Sequence, residues 1–125
     1  MASGTSAFTQ WSLDGGVAVV EVLAYELNQP KFAEALGVEL RALLDARPSD
    51  RVLIDFHNTK YMSSTAFGAL VRFVKDATAA GVRVAVCGME PAVRMGADII
   101  SLDRFIPVVD DRPAGLAALG AGGTA

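Results

Sequence analysis

The chain should fold as an α/β domain, a mixed and mostly parallel sheet covered by helices, and three observations predict this. Alternating runs at residues 8–13 and 17–23 flank Asp14-Gly15-Gly16, which is hairpin chemistry because glycine supplies the positive φ of such turns. A continuous apolar run, Val52, Leu53 and Ile54, stops at Asp55, as a strand covered on both faces does. Beyond the hairpin, strand and helix patterns alternate to give β-β-α-β-α-β-α-β-α, an order that demands right-handed crossovers and parallel pairing.

Taken in order, residues 1–7 are small and polar and are expected to be frayed. After the hairpin, Asn28-Gln29-Pro30 signals a helix start, proline being tolerated in the first turn. Phe32, Leu36, Leu40, Leu43 and Leu44 share one face of that helix, and Arg47-Pro48 ends it. His57, Asn58 and Thr59 supply a turn after the central strand, and Tyr61 and Met62 return the chain to the core. A second long helix follows over residues 64–80, with Phe67, Leu70, Val71 and Val74 as its apolar stripe, until Gly81 breaks it. Residues 82–86 form a further strand closed by Cys87-Gly88, and Pro91 opens a short helix carrying Val93, Met95 and Ile99. Residues 105–109 are the last strand, whose Pro107 points to an edge or a bulge. Asp110 or Asp111 caps a final helix over 113–119, and residues 120–125 are linker-like. The 125 residues show no internal repeat or domain boundary, so one domain is expected.

Composition narrows the function classes. The chain is 52% hydrophobic and 20% charged, enough for a real core. A formal net charge of −3 and the absence of any lysine-arginine stripe remove the electrostatic basis of nucleic-acid binding. No apolar run nears the roughly 20 residues of a membrane helix, and the amino terminus lacks the features of a signal peptide. A cytoplasmic protein without direct membrane insertion is the expectation. Cys87 is the lone cysteine and stands as a small buried hydrophobe at a strand end; no metal or other cofactor is expected.

The chemistry concentrates between Asp55 and Gly68. A phosphate-binding loop needs glycines, which HNTKYMSST lacks, and a phospho-accepting receiver needs an acidic pair and a lysine that this order of elements does not supply. Hydrolase chemistry fails too: GxSxG is absent, and His57, the only histidine, stands as a turn residue. There remains a run of hydroxyls at a helix amino terminus, where unpaired amide hydrogens and the helix dipole favour an anion. With Ser63 as N-cap, its oxygen is engaged by an amide hydrogen, whereas Ser64 in the first turn keeps a free hydroxyl. Ser64, Gly68, Arg72 and Lys75 lie along one side of the helix, away from the apolar stripe. A mid-helix glycine costs about 1 kcal/mol relative to alanine. Gly68 therefore either admits a partner's backbone or relieves crowding within the domain.

The order of elements, DFHNTKYMSSTAFGAL (55–70) and SLDRFIPVVDDRPAGLAAL (101–119) together resemble the STAS domain of bacterial anti-sigma factor antagonists, over residues 8–119. The family motif runs from a strand-end aspartate through an aromatic and an aliphatic residue to Asp-Ser-Ser-Gly-Leu-Gly, whose first serine a partner kinase phosphorylates. Asp55 falls on the aspartate, Tyr61 and Met62 on the aromatic and aliphatic, Ser64 on the phospho-acceptor and Gly68 on the last glycine. Ser63, Thr65 and Ala66 depart from it, standing where the family has aspartate, serine and glycine. Serine replaces aspartate as an equally good N-cap but removes a carboxylate beside the acceptor.

The resemblance implies a non-enzymatic regulator. Its unphosphorylated form would bind an anti-sigma factor serine kinase through Asn58, Ser63, Ser64, Thr65, Gly68 and Arg72, and phosphate on Ser64, with Ser63 or Thr65 as second-choice acceptors, would release it. The family also contains phosphorylation-independent adaptors of transporters and of stress-sensing complexes, which is the alternative reading.

Overall fold

A computed structural model describes residues 3–120. Its main sheet has six strands in the order β1-β2-β3-β5-β7-β8: Ser3–Thr5, Thr9–Asp14, Val17–Val22, Arg51–Asp55, Arg83–Cys87 and Val108–Val109. The first three pair antiparallel, and β3, β5, β7 and β8 pair parallel. Two more strands, β4 (Glu26–Leu27) and β6 (Tyr61–Met62), form a separate parallel pair. The helices are α1 (Pro30–Ala46), α2 (Ser64–Ala79), α3 (Pro91–Ile99) and α4 (Arg112–Ala118), with a short 3₁₀ turn at Leu102–Arg104.

The alternation of side chains along the strands divides the core in two. One face, with Ala18, Val20, Val22, Val52, Ile54, Phe56, Val84 and Val86, packs on α1, α2 and α3 through Leu36, Leu40, Leu70, Val74 and Val93. The opposite face, with Val17, Val19, Leu53, Ala85 and Cys87, is covered by α4 through Leu116 and Leu119. The strand predicted at 52–55 is therefore buried on both sides, which is why it is apolar without alternation. Leu70 is fully buried. Removing such a side chain from water contributes about 1.5–3 kcal/mol.

Both long helices begin where the sequence places them. Gln29 precedes α1 in extended conformation with Pro30 in the first turn, and Ser63, at φ −76° and ψ 165°, caps α2. Gly15 and Gly16 take positive φ in the β2–β3 turn. Asp111, rather than Asp110, caps α4, its Oδ1 accepting the Ala114 amide hydrogen at 3.0 Å.

Four expectations need correction. Ser3–Thr5 is an edge strand where fraying was expected: Trp11 of β2 covers Gly4, whose missing side chain lets the indole approach. The last strand is reduced to Val108–Val109, because Ser101 at φ 55° and the 3₁₀ turn use up the residues before it and leave Phe105 exposed. Its position at the sheet edge agrees with Pro107. Tyr61 is exposed instead of returning to the core, and only Met62 packs inward. Gly120 is held, its carbonyl accepting from Arg51 Nη1 at 3.0 Å; the rest of the expected linker, 121–125, lies outside the described residues, as do residues 1 and 2.

Candidate functional site

The loop from Phe56 to Ser63 sets the amino end of α2, and the hydrogen bonds that hold it come from the β3–α1 connection. Thr59, fully buried, donates its hydroxyl to the Ala24 carbonyl at 2.8 Å, the Lys60 amide donates to Tyr25 at 2.7 Å, and the Ser63 amide donates to Leu27 at 2.8 Å. Ser63 then turns the chain into α2: its Oγ accepts the Ala66 amide hydrogen at 3.2 Å and its carbonyl accepts that of Phe67. Ser64 is exposed in the first turn, and its hydroxyl makes no hydrogen bond among the described residues. The division of labour between the two serines follows from backbone geometry, since the cap's oxygen is spent on the helix end.

Thr65, Gly68 and Arg72 are also exposed on α2, and with Ser64 they form one surface. Thr65, Gly68 and Arg72 border the furrow between α1 and α2, whereas Ser64 and Gly68 border the furrow between α2 and α3. A Cβ built on Gly68 meets no atom within 4 Å, so crowding inside the domain is not the reason for this glycine. Asn58 is half-buried apart from this hydroxyl run, and its side-chain amide donates to Glu21 Oε2 at 2.8 Å.

A polar cluster behind the loop escaped sequence reasoning. Asp55 is 4% exposed at the end of β5. Its Oδ2 accepts from Arg112 Nη2 at 2.9 Å and Nε at 3.3 Å, while Oδ1 accepts the His57 amide hydrogen at 3.0 Å. The His57 ring lies between two carboxylates, Nδ1 being 2.9 Å from Asp55 and Nε2 3.5 Å from Glu21. Burial alone would raise the Asp55 pKa, but Arg112 and then the His57 amide and ring outweigh it and hold the carboxyl below its usual range. The same contact raises the pKa of Arg112. Burial, followed by the negative charge of Asp55, pushes the Cys87 thiol up to about 12. Gly88, at φ +74°, keeps this corner open, since a Cβ there would sit 2.6 Å from Asp55 Oδ1. The only sequence signal for the cluster is an aspartate closing an apolar run; Arg112 is 57 residues away.

Both oxygens of Asp55 are thus engaged by the protein's own donors, and Ser64 has no base on its helix turn. What the arrangement offers is an exposed hydroxyl on a rigid helix start beside a surface of small residues. α2 presents this hydroxyl beside the carboxyl end of β5 in the six-stranded mixed sheet. The sequence profile of the STAS domain matches residues 15–113, and the chain belongs to that family. No curated protein matches the sequence. Solved structures share the fold: an anti-sigma factor antagonist from Mycobacterium paratuberculosis is similar with a TM-score of 0.80 and 20% identity, covering 95% of each chain. An anti-sigma factor antagonist (STAS) domain protein from Planctomyces limnophilus gives 0.78 and 20%, covering 90% of this chain and 98% of that one. The Bacillus cell fate determinant SpoIIAA, solved in its phosphorylated form, gives 0.63 and 14%, covering 85% and 95%. No helix is long and apolar enough to cross a membrane among the described residues.

Proposed function

We propose that this chain is a cytoplasmic, non-enzymatic, single-domain anti-sigma factor antagonist. Its unphosphorylated form binds a kinase-type anti-sigma factor through the amino end of α2, and phosphorylation of Ser64 releases it. The observation that carries the reading is the split between the two serines: Ser63 is consumed as the cap, and Ser64 stands exposed with a hydroxyl that makes no hydrogen bond among the described residues. The similarity to SpoIIAA, a protein with a phosphorylated form, supports it. A phosphate adds about −1.5 to −2 charges, which a helix amino end tolerates in water and a desolvated interface does not.

The test is phosphate transfer from ATP by a kinase-type anti-sigma factor taken from the same organism, with the modified residue located by mass spectrometry and binding followed by calorimetry. The expected result is one phosphate on Ser64, none on the Ser64→Ala variant, and a 5- to 150-fold loss of affinity, corresponding to a coupling of about 1–3 kcal/mol. Ser63 takes the place of the family's carboxylate beside the acceptor, which favours one competing outcome. If no kinase modifies Ser63, Ser64 or Thr65 and Ser64→Glu binds as the unmodified chain does, the protein is a phosphorylation-independent adaptor.

A further inference from the structure

The loop that delivers Ser64 is held in two halves by different parts of the chain. Its second half is fastened to the β3–α1 connection through Thr59, the Lys60 amide and the Ser63 amide. Its first half, His57 and Asn58, makes no hydrogen bond to that connection among the described residues. There the backbone is tied by Asp55, whose Oδ1 accepts the His57 amide hydrogen at 3.0 Å, while the Asn58 side chain leans on Glu21.

Asp55 does not hold that turn unaided. Burial opposes its charge, and Arg112 leads the groups that overcome it. Arg112 sets both Nη2 and Nε on Oδ2, at 2.9 and 3.3 Å, which leaves Oδ1 to the His57 amide. The carboxylate has no room for another arrangement on the side of Gly88, where even a Cβ would stand 2.6 Å from Oδ1 and 3.1 Å from the His57 nitrogen.

Arg112 comes from α4, on the sheet face opposite to α1 and α2, and α4 has fastenings of its own. Leu116 and Leu119 belong to the core on that face, and Asp111 caps the helix. At its far end Arg51 Nη1 donates to the Leu119 and Gly120 carbonyls at 3.1 and 3.0 Å, and Arg83 Nη2 to the Ala118 carbonyl at 3.3 Å. The Arg112 side chain is itself 39% exposed, so replacing it leaves α4 seated.

We propose that Arg112 is a positioning residue for partner binding: from α4, acting through Asp55, it holds the His57–Asn58 turn in the shape the partner meets and has no part in placing Ser64. The inference rests on the reading that the partner docks on this loop and the amino end of α2. It adds that the two halves of that surface are set independently, one governing affinity and the other presenting the acceptor.

The probe is a kinase-type anti-sigma factor from the same organism, with the full chain as its substrate. In ¹⁵N spectra of the free chain, Arg112→Gln should speed hydrogen exchange of the His57 amide about tenfold or more, with the Ser63 and Ala66 amides at parental rates. A turn in its binding shape about a tenth of the time lowers apparent affinity roughly tenfold. Kd and KM should therefore rise by about that factor while kcat stays within about twofold. Arg112→Lys, which keeps the charge without the fork, should recover part of the loss. Arg112→Gln added to Asp55→Asn should weaken binding no further, because the two act as one unit. Arg83→Gln, which removes a guanidinium from the other end of α4, should behave as the parent chain.

Unchanged His57 exchange or Kd in Arg112→Gln, a fall in kcat as large as the rise in KM, or additive losses with Asp55→Asn would each overturn the proposal. So would an equal loss in Arg83→Gln, no recovery in Arg112→Lys, or melts showing Arg112→Gln unfolded at the assay temperature. A parent chain that binds but is never phosphorylated defeats the switch alone, and Kd still decides the role of Arg112. A phosphorylated Ser64 with a Kd indifferent to Arg112→Gln defeats this inference alone, and a parent chain that does not bind at all overturns both.

Discussion

Gly68→Ala isolates what this helix gives up by carrying a glycine. The added methyl meets no atom within 4 Å, so neither a clash nor new burial enters, and the change is one of helix propensity alone. In an exposed helix interior that difference is about 0.8–1.0 kcal/mol in favour of alanine, arising mostly from the smaller conformational freedom of the unfolded chain. For a domain of this size the gain should raise Tm by roughly 2–6 °C. Gly96→Ala is the control with identical chemistry and the opposite environment. Its Cβ would stand 2.5 Å from a ring carbon of Phe67, which is itself buried, so α3 must shift or the ring must move, at a cost of about 1–3 kcal/mol. Urea melts of the two variants beside the parent chain decide the matter. A loss of stability in Gly68→Ala, or equal effects in both variants, would refute the view that Gly68 serves nothing inside the domain.

Leu70→Ala should cost about 2–5 kcal/mol in the same melts, because Leu70 is wholly buried between α2 and the sheet, while exposed Arg72→Ala should stay within about 0.5 kcal/mol. Equal losses would mean that the wrong helix face was assigned to the core. Ser63→Ala should lower stability by about 0.5–2 kcal/mol through loss of the bond to the Ala66 amide, yet still be phosphorylated on Ser64; phosphate found only on Ser63 in the parent chain contradicts this. Asp55 gives a pH signature. Its folded pKa lies below the unfolded value of about 3.9, so its contribution is present above that value and is lost as pH falls through the folded pKa. The parent chain should therefore exceed Asp55→Asn in stability at neutral pH and converge toward it in acid below about pH 4, and a gap that stays constant or widens in acid would exclude the depressed pKa.

What was legible in the sequence was local. Pro30 in a first turn, the hydroxyl before Ser64, and leucines at helical spacing each act within a few residues, and α1 and α2 start and end within a residue of expectation. Ser3–Thr5 carries no such signal, because a short polar segment becomes a strand only when β2 offers it an edge and Trp11 a surface. Residues 105–109 failed for the converse reason. Their hydrophobicity suggested a strand, but a left-handed Ser101 redirects the chain, and only Val108 and Val109 reach β7. At the site, the cap and the exposed hydroxyl could be read from residue order, while the joining of Asp55, His57, Glu21 and Arg112 could not, since it needs three parts of the chain folded together.

That hidden cluster bears on how the proposed switch could work. The loop leading to Ser64 is pinned from one side by Thr59, Lys60 and Ser63 to residues 24–27, and from the other by Asp55, which holds the His57 amide while itself held by Arg112 of α4. The helix start is therefore in place before any partner arrives. Its dipole stabilises a nearby anion by about 0.3–1 kcal/mol at an exposed position, a gain that belongs to the free protein and is too small to rearrange hydrogen bonds on both sides of the loop. A release of about 1–3 kcal/mol has to come mostly from the bound state instead, where the phosphate must shed water against a surface built to meet a bare hydroxyl. On this argument the phosphorylated and unphosphorylated chains share one backbone, and the information passed to the partner is the charge itself.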